Sequence, residues 1–124
     1  MGRRAIVAGT GFEGRASIIR RYCREGQTVE LRREPNNRYD PDAIAVYIDT
    51  PILFGLLGRK RRQIGYIKAS AADGLAKLMD DGLKIDARVA SFYAPPGKEH
   101  PRVSLELDYE APPKTRKSRK DEGV

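Results

Sequence analysis

The residues able to do chemistry in this chain are few, and their types matter more than their number. Cys23 is the lone cysteine and His100 the lone histidine. A zinc site takes about four ligands, normally with several Cys or His among them. Neither residue sits in a recognisable nucleophile motif, so Cys23 reads as a small buried hydrophobe and His100 as part of an exposed Pro/Gly/Lys loop. The acids are scattered over polar faces and form no isolated carboxylate pair. These observations predict a non-enzymatic protein that uses neither metal nor cofactor. Gly9-x-Gly11-x-x-Gly14 is a literal dinucleotide fingerprint, placed after an apolar strand and before a helix, with Glu34 closing the next strand. The helix that follows is short and Arg-rich, however, and the chain then enters an antiparallel pattern. At 124 residues it lacks room for two mononucleotide-binding halves. A nicotinamide or flavin site is a remote alternative, and the glycines read first as a tight turn.

The segment Pro35-Asn36-Asn37-Arg38-Tyr39-Asp40-Pro41 has a different character. An aromatic ring in a loop between strands is poorly placed for a core and well placed to stack on a base. Here it is bracketed by amides, a cation and a carboxylate.

The elements that must position these groups follow from periodicity. Ala5–Ala8 reads as a strand, and Arg15–Cys23 as a short helix ended by Gly26. Thr28–Arg33 and Ala43–Ile48 alternate as strands with one wet face. Gln63–Lys68 is a third such strand. Ser70-Ala71-Ala72-Asp73 reads as a capping box opening a helix that runs to about Asp81, stopped by Gly82. Asp86–Tyr93 and Val103–Tyr109 form a hairpin across a long Pro-rich loop. Between the second and third of these alternating strands, Pro51–Leu57 is an apolar insert that either closes one end of a barrel or offers a patch for a partner protein. Arg59-Lys60-Arg61-Arg62 follows it, as a phosphate-tracking cluster or a solvated face. The sum is an α+β, mainly β fold. It is a partly closed barrel of five to six strands with two short helices.

Composition sets the remaining bounds. The chain has 24 basic and 17 acidic residues, a formal charge of +7. Residues 1–110 carry 19 basic and 15 acidic residues, and five cations in 111–124 face Asp121 and Glu122. The expected organisation is one folded domain over 1–110 and a disordered basic tail over 111–124. No apolar run is long enough to span a bilayer. With no secretory signal pattern either, an intracellular, cytoplasmic location is expected, with nucleic acid rather than a membrane or a small-molecule substrate as partner.

The run Leu31-Arg32-Arg33-Glu34-Pro35-Asn36-Asn37-Arg38-Tyr39-Asp40, the strand Ala43-Ile44-Ala45-Val46, the strand Ile64-Gly65-Tyr66-Ile67-Lys68 and the helix ending at Asp81-Gly82 together resemble the HIRAN domain family. The resemblance covers about residues 5–109. It implies a modified OB-like barrel that binds single-stranded DNA with a preference for a free 3′-hydroxyl end. It also implies a role in DNA repair or replication-fork processing, in company with helicase or nuclease proteins. Phe12 then stands where the family often has tyrosine, to stack on a base or to plug the barrel end. Tyr39 stacks on another base. Asp40 accepts a hydrogen bond from a terminal hydroxyl, or caps its turn, or both. Asn36 and Asn37 meet sugar, phosphate or base edges, or form the turn. Tyr66 contacts nucleic acid or packs across strands. Arg32, Arg33, Arg38 and Lys68 supply cations; Arg38 replaces a common proline.

Overall fold

A computed structural model describes residues 2–12, 14–94 and 100–109. The order is β1 (Gly2–Ala8), α1 (Arg15–Tyr22), β2 (Thr28–Arg33), β3 (Ile44–Pro51), β4 (Arg59–Ile67), α2 (Ala69–Asp80), β5 (Asp86–Tyr93) and β6 (Arg102–Asp108), with a 3₁₀ turn at Leu53–Gly55 between β3 and β4. The expected tail over 111–124 and most of the β5–β6 loop lie outside the described residues.

Alternation builds the sheet. Ile44, Val46 and Ile48 of β3, Val103, Leu105 and Leu107 of β6, and Ala87 and Val89 of β5 all point inward and are buried. A strand with one apolar face leaves that face exposed unless the sheet curls over it. Here the strands close into an uneven ring in the order β1-β4-β3-β2-β5-β6. Every strand pair is antiparallel. The mainly β fold with two short helices is therefore as expected. β1 and β2 are not neighbours, so the parallel strand–helix–strand unit that a dinucleotide fold requires is not formed.

The ring is unevenly sewn. β1 and β6 pair over six positions, Gly2↔Asp108 to Val7↔Val103. β1 meets β4 only at Val7↔Ile67 and Ala8↔Tyr66. The helices complete the core, α1 with Ile19 and the flanking Cys23, α2 with Ala72, Leu75 and Ala76. Burial pushes the Cys23 thiol up to about 11, so it is a neutral core group and not a thiolate nucleophile at neutral pH.

Three local expectations need correction. The N-cap of α2 is Lys68, without a side-chain cap bond, and Ser70 lies inside the first turn. β3 runs on to Pro51 and β4 begins at Arg59, so Arg59–Arg62 belongs to the strand expected to start only at Gln63. Cross-strand pairing with β3 overrode the low strand propensity of a basic run. The 51–57 insert does not close the barrel. It forms the tip of the β3–β4 hairpin, with Leu53, Phe54, Leu56 and Leu57 exposed.

Candidate nucleic-acid interface

One cleft, of about 740 Å³, opens between the β1–α1 turn, the β2–β3 loop and the end of β4. Its floor is apolar, from Ala8, Ala43 and Ile67. Phe12, Tyr39 and Tyr66 bring aromatic rings to it from three different elements, and Arg15, Arg38 and Asp40 bring charge. The ring of Tyr39 is 87% exposed and that of Phe12 68%. Large rings left this bare contribute little to the fold and offer flat apolar faces to a ligand.

Glycine geometry shapes the first wall. Gly9 and Gly14 have φ of 76° and 80°, left-handed values that glycine adopts without steric penalty. Gly14 caps α1, which starts at once with Arg15. The Arg15 guanidinium donates to the Gly9 carbonyl at 3.0 Å. It stands 4.9 Å from the centroid of Phe12 and 5.6 Å from that of Tyr66. One cation thus lies against two rings of the cleft. Gly11 leaves room for the His100 imidazole, which a Cβ there would overlap at 2.1 Å. The Thr10 hydroxyl donates to the Pro101 carbonyl and fastens the same turn to the residue just before β6. The glycine motif is therefore a packing turn.

The second wall is built by hydrogen bonds within the β2–β3 loop. The Asn37 side-chain oxygen accepts from the backbone N–H groups of Tyr39 (2.9 Å) and Asp40 (3.1 Å). Its amide donates to Glu34 Oε1 at 3.0 Å. Tyr66 Oη donates to the same Glu34 oxygen at 2.9 Å, tying loop to strand. Asp40 Oδ1 accepts from the Asp42 N–H at 2.9 Å. The turn-forming roles of Asn37 and Asp40 are thus both present in the geometry. The second carboxylate oxygen of Asp40 has no hydrogen-bond partner among the described residues. The Arg38 guanidinium lies 5.7 Å from the Tyr39 ring.

Position in the third wall depends on Gly65. A Cβ there would meet the Ala8 carbonyl oxygen at 2.4 Å and the Val7 side chain at 2.6 Å. Only glycine lets β1 come this close, and that approach sets Tyr66 beside the β1–α1 turn. The β3–β4 register also shifts here, from Val46↔Gly65 to Tyr47↔Gln63, a bulge that re-aims the strand.

Of the sequence-derived candidates, Phe12, Asn37, Arg38, Tyr39, Asp40 and Tyr66 line this one cleft. Lys68 is exposed and sits between the lining residues Ile67 and Ala69. Asn36 is exposed but does not line it. Arg32 points elsewhere, paired with Glu30 and 4.7 Å from the Tyr47 ring. Arg33 is a clamp. It binds Asp80 through Nε (2.9 Å) and Nη2 (3.0 Å), and the Ala43 carbonyl through Nη1 (2.8 Å). These bonds hold Asp80 ionised, with its pKa lowered from the ordinary carboxylate value by the hydrogen bond from Arg33. Arg59–Arg62 lies at the far end of β4 from Tyr66. Arg15 was not among the candidates, and Glu34 entered only as the acid of the dinucleotide fingerprint. An arginine at the first position of a helix and a glutamate at the end of a strand carry no local signal, since their roles arise only when three distant elements meet.

Comparison with known proteins identifies the family and the fold. The HIRAN domain model matches residues 4–108. The fold is similar to a crystal structure of a Lactobacillus plantarum protein, with a TM-score of 0.62 and 26% identity over 84% of this chain and 89% of that one. It is also similar to the HIRAN domain of human HLTF, with a TM-score of 0.57 and 26% identity over 87% of this chain and 74% of that one. No curated protein matches the sequence. The family pattern spans every element that lines the cleft, and the chain belongs to the HIRAN domain family, generally non-catalytic modules that bind DNA.

Proposed function

We propose that this cleft grips the free 3′ end of single-stranded DNA. The observation that carries the reading is the convergence of exposed rings, cations and one half-satisfied carboxylate on a single apolar-floored cleft. Tyr39 and Phe12 stack on the terminal bases, each stack contributing about 1–3 kcal/mol. Arg15, Arg38 and Lys68 neutralise phosphates without reading sequence. Asp40 accepts a hydrogen bond from the terminal 3′-hydroxyl through its second oxygen.

End selectivity follows from charge. A terminal phosphate in place of the hydroxyl would bring negative charge against Asp40. At about 4 Å two unit charges repel by about 1 kcal/mol in water and about 4 kcal/mol at an effective dielectric of about 20. A duplex end offers no unpaired base to the rings. Such a grip suits repair and fork processing, where 3′ ends are exposed and where helicase or nuclease proteins act.

Fluorescence anisotropy with 3′-hydroxyl, 3′-phosphate and blunt duplex oligonucleotides tests this. The 3′-hydroxyl strand binds tightest, and Asp40→Asn narrows the gap to the 3′-phosphate strand. Equal affinity of wild type for the two single strands overturns the end-reading role, and absence of single-strand binding overturns the function.

A further inference from the structure

We infer that the β3–β4 hairpin is a second DNA-binding element, which engages duplex adjoining the single strand by wedging its apolar tip between base pairs. The hairpin outruns the ring. β2 pairs with β3 only as far as Tyr47, and β1 pairs with β4 only at Tyr66 and Ile67. Beyond those points Ile48–Pro51 and Arg59–Arg62 pair only with each other, from Ile48↔Arg62 to Pro51↔Arg59. Ile48 and Thr50 remain buried and root this two-stranded ribbon in the barrel.

Its tip is built to display apolar groups. Backbone bonds close it on itself. The Ile52 N–H donates to Gly58 O at 2.9 Å, and Ile52 O accepts from Gly55 (3.0 Å) and Leu57 (3.2 Å). Leu53 and Phe54 hold left-handed φ values of 49° and 55°, costly for residues with a Cβ. The strain gains no burial, since Phe54 is 92% exposed and Leu56 84%. Left-handed non-glycine residues cluster where a site demands a particular display. Directly behind the tip stand Arg59, Lys60, Arg61 and Arg62. Arg61 is ion-paired with Asp49 and with Glu30 of β2, and Arg62 donates to the Thr50 hydroxyl. Arg59 and Lys60, both exposed, therefore carry most of the collar's unbalanced charge.

An apolar point on a cationic two-stranded stem is complementary to duplex DNA. The major groove admits a two-stranded ribbon, apolar side chains wedge between base steps, and the collar meets phosphates. Tyr66 at the cleft and Arg59 at the tip's base share one strand. They lie seven positions apart, about 23 Å at about 3.3 Å each. That is the length of about seven base pairs. One DNA carrying a 3′ single-stranded tail on a duplex can therefore reach both places, so the preferred ligand is a tailed junction and not a bare strand. This preference rests on the cleft reading above; the arm's contact with duplex does not.

The test compares a 3′-hydroxyl single strand, the same strand as a tail of about six nucleotides on a duplex, and the blunt duplex, with 2-aminopurine at the junction pair. Wild type binds the tailed duplex about tenfold or more tighter than the strand alone, because two sites act on one molecule. Phe54→Ser and the milder Phe54→Ala, both at an exposed position, abolish that gain and the 2-aminopurine brightening while leaving single-strand affinity unchanged. Arg59→Gln with Arg61→Gln weakens the gain and flattens its salt dependence. An unchanged gain in the Phe54 variants overturns the inference. So does a Phe54-dependent association seen only with phosphatidylglycerol vesicles, or a wild-type dimer that Phe54→Ser makes monomeric. Failure of the cleft reading looks different: single-strand binding is absent or indifferent to Tyr39→Ala, while duplex binding still depends on Phe54.

Discussion

Tyr66 Oη donates to Glu34 Oε1 at 2.9 Å, and that bond joins the end of β4 to the loop that carries Tyr39 and Asp40. The same oxygen receives the Asn37 amide, so one carboxylate sets the loop's height above β4. Glu34→Ala leaves a half-buried tyrosine hydroxyl and an amide unpaired. The expected loss is about 1–3 kcal/mol of stability, with weaker DNA binding because the loop is no longer preorganised. Thermal unfolding and anisotropy on one sample measure both, and unchanged values in both would deny Glu34 its positioning role.

Tyr39→Ala separates folding from binding. The ring is almost bare, so stability changes by no more than about 0.5 kcal/mol. Single-strand affinity falls by about 1–3 kcal/mol, tenfold or more for most of that range. A variant that melts early, or that binds as wild type does, contradicts the stacking role.

Gly65→Ala is expected to be among the costliest single-methyl changes in the chain. The added Cβ meets backbone, the Ala8 carbonyl, which cannot swing aside as a side-chain end can. Overpacking of this kind costs about 1–3 kcal/mol. Both melting temperature and DNA affinity drop, because the displaced strand is the one that holds Tyr66.

Salt dependence reports the cations of the cleft. With Arg15, Arg38 and Lys68 on phosphates, log affinity for a short single strand falls with log salt at a slope of about −2. Arg15→Gln reduces the slope by about 0.7 and also removes a cation held against two rings. A slope indifferent to Arg15 and Arg38 places the phosphates elsewhere.

Acid should loosen the tie between β2 and α2. The Arg33 hydrogen bond depresses the Asp80 pKa in the folded state. The stabilisation is complete above the ordinary carboxylate range and is lost as pH falls through the depressed folded value. Asp80→Asn removes this part of the acid sensitivity. The stabilities of the two proteins therefore begin to approach each other as pH falls into the ordinary carboxylate range, about 4, and meet only below the depressed folded value.

Much of this was legible in the residues. Alternation in β2, β3, β5 and β6 marked the inward faces, and the Asn-Asn-Arg-Tyr-Asp run marked a loop with a ring to spare. Residues whose partners are distant were not legible. Arg32 and Arg33 look alike in sequence, yet one packs on Tyr47 and the other clamps Asp80. Arg15 acquires its place only because Gly9, Phe12 and Tyr66 converge. The apolar 51–57 run left burial at a barrel end and display on the surface both open, and a self-bonded turn with left-handed residues at its apex holds it in water.

The two-pair contact of β1 with β4 has a consequence for how a ligand enters. Ala8 and Tyr66 are both partners in that seam and both border the cleft. Backbone amides there have fewer ladder neighbours to lose than those of the six-pair β1–β6 ladder, so they exchange with solvent first. Parting at this point widens the entrance without unzipping the rest of the ring, and a seated strand that bridges Phe12 and Tyr66 acts as the missing stitches.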